Sequence, residues 1–218
     1  MAKKALPTHS RILHVGTNLL TTAGFSGVTI GTLAQQSGMS KSGFFAHFGS
    51  KEELQLKLLE NAAEIAREHV VAPCMESPKG VARLTALVRN WFGWTTKAGL
   101  DGGCPVAAGM FELDDSEGPV RERLLQMESF WRGLLAAQVA DAVALGELAA
   151  DLDIGQFVWE LCGIYLSHHA SVRFVRDPKA DKRAELAFKM LLKRAQPSHR
   201  ETSKRPGGSR KGREKRSR

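Results

Sequence analysis

An all-α fold is the expectation from three features of this 218-residue chain. Apolar residues recur at helical spacing through segment after segment, and no stretch shows the strict alternation of a half-buried strand. Glycine and proline fall between those segments, as at Gly38, Pro73, Gly102-Gly103, Pro105, Pro119 and Asp177-Pro178. Residues suited to helix N-caps (Thr29, Ser40 and Ser50) stand directly ahead of three short or long helical patterns.

The densest pattern lies in residues 27–54, GVTIGTLAQQSGMSKSGFFAHFGSKEEL. Thr29 caps a short helix that places Ile30, Leu33 and Ala34 on one face. Gly38 breaks that helix where a tight turn needs a left-handed residue. Ser40 caps a second short helix, and Phe44 and Phe48, at i and i+4, pin it back onto the first. Its outward face carries Lys41, Ser42 and His47, with Gly43 leaving space for a close approach. Two helices this short cannot bury a core of their own, so the unit suits presentation of the second helix to a DNA major groove. A bare helix-Gly-helix pattern would fit two plain core helices equally well. Ser50 and Glu53 form a capping box that starts the next helix. Lys51 then sits in a first turn, where a cation opposes the helix dipole and an anionic partner would account for it.

Helical periodicity continues along the chain. Leu54, Leu58, Ala62, Ile65 and Ala66 mark one face of a connecting helix that Pro73 is expected to end. Val81, Leu84, Val88, Trp91 and Trp94-Thr95 define the next, stopped by Gly99 and Gly102-Gly103. Pro105 suits the first position of a short helix reaching about Leu113. Pro119 opens a long helix with the stripe Val120, Leu124, Met127, Trp131, Leu134-Leu135 and Ala142, ending near Gly146. Ile154, Phe157-Val158, Leu161, Tyr165 and Val172 mark another, and Asp177-Pro178 separates it from a last helix through Ala195. The helix from Ile154 is apolar on more than one side, so it must be covered on both faces, by a partner chain or as the central helix of a monomer.

Charge and cysteine usage narrow the class. The net charge is +8, yet Gln196–Arg218 holds nine Lys or Arg against Glu201 and Glu214, so this tail carries +7 and residues 1–195 only +1. With no large apolar residue and with Pro206-Gly207-Gly208, residues 196–218 are expected to be a disordered basic tail. Such a tail is either a solubilising segment or a source of sequence-independent attraction to DNA phosphate. Cys74, Cys104 and Cys162 are scattered without a CxxC pair, which excludes a recognisable zinc pattern and suggests reduced thiols. The opening MAKKALPTHSR lacks a signal-peptide apolar run, and no stretch approaches the ~20 apolar residues of a membrane span. A cytoplasmic protein that does not engage membranes is expected.

The segment 9–55 resembles the DNA-binding domain of the tetracycline-repressor (TetR) family of bacterial transcription regulators. The resemblance is carried, without gaps, by Thr29-Ile30, Leu33-Ala34, Gly38-Met39-Ser40-Lys41, His47-Phe48 and Ser50-Lys51-Glu52-Glu53-Leu54. Upstream, Arg11-Ile12-Leu13 and Leu19–Phe25 are similar to the family's first helix and its glycine stop. Two positions depart from the pattern. Phe45 stands where a tyrosine hydroxyl usually meets a phosphate, and Gly31 weakens the first short helix by about 1 kcal/mol relative to Ala.

The resemblance implies nine helices, with a helix-turn-helix domain over 1–50 and an effector-binding and dimerisation domain over 51–195. It further implies a homodimer through helices of about 154–176 and 179–195, and a double-stranded DNA operator with an inverted repeat. Two-fold symmetry would double the few contacts that one reading helix makes. Thr29, Ser40, Lys41, Phe45, His47 and Lys51 are expected to position the DNA backbone, while Ser42 and Gly43 lie where base edges come close. The expected activity is transcriptional repression relieved by an unidentified small-molecule effector. The alternative is a nucleic-acid-coating protein working through its tail, whose binding would ignore sequence and collapse with salt.

Trp91, Phe92, Trp94, Phe111 and Trp131 fall on three consecutive helices that surround an effector cavity in family members. Trp91, Trp94, Cys104, Phe111 and Trp131 are the candidate pocket residues, although aromatics at these spacings also suit core packing. Glu112, His168 and His169 are candidate polar groups, and adjacent histidines on a helix make a poor metal pair. Cys104, directly before Pro105, is expected at a helix N-cap, left accessible by Gly102 and Gly103. It is then either a redox-sensing thiol or an ordinary loop residue. An enzyme using Cys104 or Ser171 with His168 or His169 is set aside, because no nucleophile elbow, phosphate loop or HExxH motif occurs. No cofactor and no metal are expected.

Overall fold

A computed structural model describes residues 8–38, 40 and 48–197 of the chain. The described residues form nine helices, two of them carried on by a π-helical turn, and contain no strand. In chain order they are α1 (Thr8–Gly27), α2 (Ile30–Ser37), α3 (Lys51–Ala66), α4 (Val81–Trp91), α5 (Trp94–Lys97), α6 (Pro105–Glu112), α7 (Pro119–Ala144), α8 (Ile154–Ala170) and α9 (Ala180–Arg194). The all-α architecture expected from the sequence is the one observed.

Two apolar cores organise these helices. The first gathers Ile12, Leu20, Phe25, Val28, Leu33 and Phe48 with Leu54, Leu58 and Leu59 of α3, and α7 inserts Leu124 into it. The second is larger and is built from α4, α6, α7, α8 and α9 around Leu87, Trp91, Leu135, Phe157, Leu161 and Phe188. The apolar stripe of α3 feeds both cores, with Leu54–Leu59 entering the first and Val70 and Cys74 the second. A helix anchored in two cores cannot shift at one end without straining the other.

Two local departures from the sequence reading have physical causes. Pro73 does not stop the connecting helix. A π-helical turn at Arg67–Val71 follows α3, and the helix runs on through Ala72–Cys74. The widened turn displaces the hydrogen-bond ladder, so the missing N–H of Pro73 costs little. The helix expected over Val81–Thr95 is two helices. Phe92 is extended (φ −63°, ψ 118°) and Gly93 left-handed (φ 66°, ψ 25°), which turns α5 away from α4. The glycine stop expected of the first helix is observed, since α1 is interrupted at Gly24, which adopts φ 68° and ψ −173°.

The last two helices form a pair. His168 Nε2 lies 2.7 Å from Asp181 Oδ1 and Arg194 pairs with Glu160, while the Ala149 N–H, in the loop ahead of α8, donates to Ala195 O at 2.8 Å and ties down the end of α9. The π-helical turn Ser171–Val175 extends α8, and Arg176 ends it in the left-handed conformation (φ 56°).

Candidate functional site

The helix-turn-helix is built by local capping. Thr29 Oγ1 accepts from the Thr32 N–H at 3.0 Å, and Thr32 Oγ1 accepts from the Thr29 N–H at 3.0 Å. This reciprocal pair satisfies two amides that a helix start leaves unpaired. Gly38 closes α2 with φ 68° and ψ 27°, its N–H reaching Ala34 O and Gln35 O. The Ser37 hydroxyl donates to Leu33 O at 2.6 Å, and Arg11 Nη2 donates to Ser37 O at 3.3 Å, tying the turn to α1. Ser40 is exposed after this turn. Lys41, Ser42, Gly43, Phe45 and His47, with Phe44, lie outside the described residues. The chain returns at Phe48, fully buried in the first core.

At the start of α3, Ser50 Oγ accepts from the Glu53 N–H at 3.0 Å. Glu53 Oε2 reaches back to the Gly49 N–H at 3.1 Å, one residue before the partner of a standard capping box. Lys51 is the first residue of α3 and exposed.

Between α3 and the second core lies a half-open cavity of about 790 Å³, within the range of small-molecule sites. Trp91, Trp94, Cys104 and Trp131 line it. Phe111 does not: α6 turns Ala107 and Met110 inward, and Phe111 lies on the opposite side, 68% exposed. Sequence spacing on a helix of only two turns left that choice of face open. Tyr165, the only tyrosine in the chain, lines the cavity, a position that periodicity alone marks only as part of an apolar stripe. Its ring stacks on Trp91 at 3.9 Å and 10°. A phenol in a helix this apolar needs a hydrogen-bond partner, which is the signal that could have flagged it. Burial holds the Tyr165 hydroxyl well above the ordinary phenol range, and the Cys104 thiol beside it acts in the same direction. Burial likewise pushes the Cys162 thiol up to about 11, against the charge of Arg132.

Cys104 does precede Pro105 at the start of α6, but its side chain caps nothing and is only 8% exposed. The glycines expected to leave it accessible serve another purpose. A Cβ on Gly102 would sit 1.9 Å from Thr21 O, and one on Gly103 would sit 2.5 Å from the His169 ring. They let the loop close onto α1 and α8, which covers the thiol. His168 and His169 do not line the cavity. Burial, with the charges of Arg173 and His168, lowers the pKa of His169.

Both ends of α6 are bonded to α1. Ahead of it, the Gly103 N–H donates to Thr21 O at 3.0 Å and the Gly102 N–H to Thr21 Oγ1 at 3.1 Å. Asn18 Nδ2 donates to Asp101 Oδ2 at 2.7 Å, and the Asp101 N–H returns to Asn18 Oδ1 at 2.9 Å. At the far end, Glu112 accepts from the Phe25 N–H at 2.9 Å and the Ser26 N–H at 2.7 Å. Glu112, read from sequence as a polar group of the pocket, therefore holds α1 instead. Burial raises its carboxyl, but the Ser26 hydroxyl, the two amides and the Lys51 charge outweigh it and hold the group below the usual carboxylate range.

On the outside of α8 and α9, Trp159 (65% exposed), Leu186, Met190 and Phe174 leave apolar surface uncovered. Gly163, one turn after Trp159, has open space where a side chain would stand. Among the described residues no helix is long and apolar enough to cross a membrane, and no cluster of three or more His, Cys, Asp or Glu could hold a metal.

These features agree with what the chain is similar to. Residues 12–58 match the model described as bacterial regulatory proteins, tetR family, and residues 80–188 match that of the tetracyclin repressor-like C-terminal domain. No curated protein is a significant match. Among solved structures, a TetR transcriptional regulator from Chloroflexus aurantiacus superposes with TM-score 0.75 at 24% identity, over 85% of this chain and 92% of that one. A TetR-family transcriptional regulator from Streptomyces coelicolor gives 0.72 at 19% identity, covering 86% and 95%. AibR, solved in complex with isovaleryl coenzyme A and operator DNA, gives 0.68 at 19% identity, covering 85% and 98%. With one family model over its helix-turn-helix and the other over its larger helical core, the chain belongs to the TetR family of bacterial transcription regulators.

Proposed function

We propose that this regulator is a dimeric repressor released from its operator when a small molecule enters the cavity of the second core. The observation that carries the reading is the double attachment of α6. Its inner face lines the cavity through Ala107 and Met110, and hydrogen bonds at both of its ends hold α1 of the reading head. A ligand that displaces α6 must therefore move α1 or break those bonds. Either event changes the spacing of two heads that have to fit successive major grooves.

In this reading residues 1–50 form the DNA-reading head, 51–195 the effector and dimerisation unit, and 196–218 a basic tail. Ser40, Lys41, Phe45, His47 and Lys51 position the DNA backbone, Thr29 does so by presenting the capped start of α2, and Ser42 and Gly43 face base edges. The uncovered stripe of Trp159, Leu186 and Met190 supports a two-fold pairing through α8 and α9. A protein of this kind acts in the cytoplasm and catalyses no reaction.

Selection of bound duplexes from a random DNA pool, with full-length protein near physiological salt, tests the reading. Enrichment of an inverted repeat is the expected result. Strong binding without any enrichment would overturn it and favour sequence-independent coating through the tail.

A further inference from the structure

We propose that the effector is an elongated, mostly apolar monocarboxylate, held at its acid end by Arg123 and at a distal hydrogen-bond acceptor by Trp131. The assignment rests on the effector reading above and adds the chemistry of the molecule. Both residues line the cavity, and both keep a buried N–H without a partner, at Arg123 Nε and Trp131 Nε1. A buried donor left unpaired is costly, so a site with two of them is built for a ligand that brings acceptors.

The charges around the cavity select an anion. Arg67 is taken by Glu64, at 2.6 Å and 2.9 Å, and Glu128 is taken by Arg132 at 2.7 Å. Glu60, the remaining carboxylate of the lining, is exposed to water. Arg123 has no carboxylate partner among the described residues and makes only a 3.4 Å bond to the Gln126 amide. With Glu60 in water and the other two carboxylates paired, Arg123 is the guanidinium of the lining that no carboxylate neutralises among the described residues, and it takes one negative charge. Its planar fork suits a carboxylate.

The geometry sets the shape. Arg123 and Trp131 both lie on α7, and eight residues of helix separate their backbones by about 12 Å. Met127 lines the wall between them, and Trp91 packs against Trp131 at 4.9 Å, with Trp94 and Leu134 also facing the space. The ligand body between the two polar ends is thus apolar. Its distal group is an uncharged acceptor such as a ketone, because an indole N–H against apolar and aromatic walls cannot compensate a buried charge.

Calorimetric titration of the full-length protein with dodecanoate, dodecan-1-ol and dodecylamine compares one body under three head groups. Dodecanoate should bind about ten-fold or more tightly than the other two. Arg123→Gln should remove that advantage while keeping the far-ultraviolet circular dichroism spectrum of the wild type, which shows that the variant is folded. A keto group near the far end, as in 10-oxododecanoate, should add about five-fold, and Trp131→Phe should abolish that increment alone. Equal affinity for the three head groups, or an Arg123→Gln variant that keeps the carboxylate preference, overturns the assignment. A separate arm measures release of the enriched operator. Carboxylate-selective binding that leaves operator affinity unchanged upholds the site and overturns its regulatory role.

Discussion

The Glu112 carboxylate takes two hydrogen bonds from one residue of α1, the Ser26 N–H at 2.7 Å and the Ser26 hydroxyl at 2.6 Å. The cause lies two residues earlier. Gly24 leaves the helical conformation, which frees the amides that follow, and a side chain at Gly24 would meet Glu112 Oε2 at 2.5 Å. A helix break, an acceptor and an absent side chain together make a socket for the end of α6. The cavity and the reading head are therefore one mechanical unit, joined through a short helix.

Glu112→Gln should lower stability by roughly 1 kcal/mol, the strength of charged hydrogen bonds discounted for partial exposure. The pH dependence has a definite sign. The folded carboxyl titrates below its ordinary range, so its contribution is complete above the unfolded value and is lost as pH falls through the folded one. Thermal melts should show the full gap between wild type and Glu112→Gln at neutral pH, closing only in acid. A gap that widens in acid would contradict the assignment.

The other end of α6 has a steric test. Gly102→Ala places a methyl group 1.9 Å from the Thr21 carbonyl oxygen, a backbone atom with little room to yield. The loop should lift from α1 and cost about 1–3 kcal/mol, as overpacking does. Gly133→Ala is the control. It lies within α7 with nothing within 4 Å of the new methyl group, and should stabilise by up to about 1 kcal/mol. Similar melting temperatures for the two variants would mean that the loop is free to rearrange.

Most of this fold was legible because capping and punctuation are local. Thr29, Gly38, Ser50, Pro105 and Pro119 act on the nearest amides, and the structure places them where the spacing did. What escaped depends on distant partners. Nothing around Gly102 shows that Thr21 will lie against it, and nothing around Glu112 shows that it will face Ser26 rather than the cavity. The π-helical turn ahead of Pro73 left no trace either, since one widened turn changes the ladder without changing composition. The place of Phe111 outside the cavity and of Tyr165, a stripe residue as expected, on its wall escaped for a related reason. Periodicity finds the apolar stripe of a helix but not which part of it borders empty space.

The exposed stripe on α8 and α9 makes an assembly prediction. Leu186→Glu with Met190→Glu puts two charges on surface that a partner would dehydrate, while both positions are already open to water in one subunit. The fold of the subunit should be unaffected, and light scattering should show monomers in place of dimers. Operator affinity should fall with it, because a single head makes half the contacts. A double variant that remains dimeric would place the interface elsewhere.

Lys51 makes the sharpest distinction within the head. Its ammonium stands exposed at the first position of α3, where its charge already acts on the Glu112 carboxyl. If DNA phosphate is its main partner, Lys51→Ala should weaken binding evenly across sequences and reduce the salt slope by about two, one for each head of the dimer. If Glu112 is, the variant should melt lower with an unchanged slope. A substitution at Ser42 should behave differently from both, altering preference at particular base pairs with little effect on salt dependence. Binding isotherms at three salt concentrations, on the enriched operator and a scrambled duplex, separate these outcomes. Loss at a single base pair in Lys51→Ala would assign that side chain to base reading and not to the backbone.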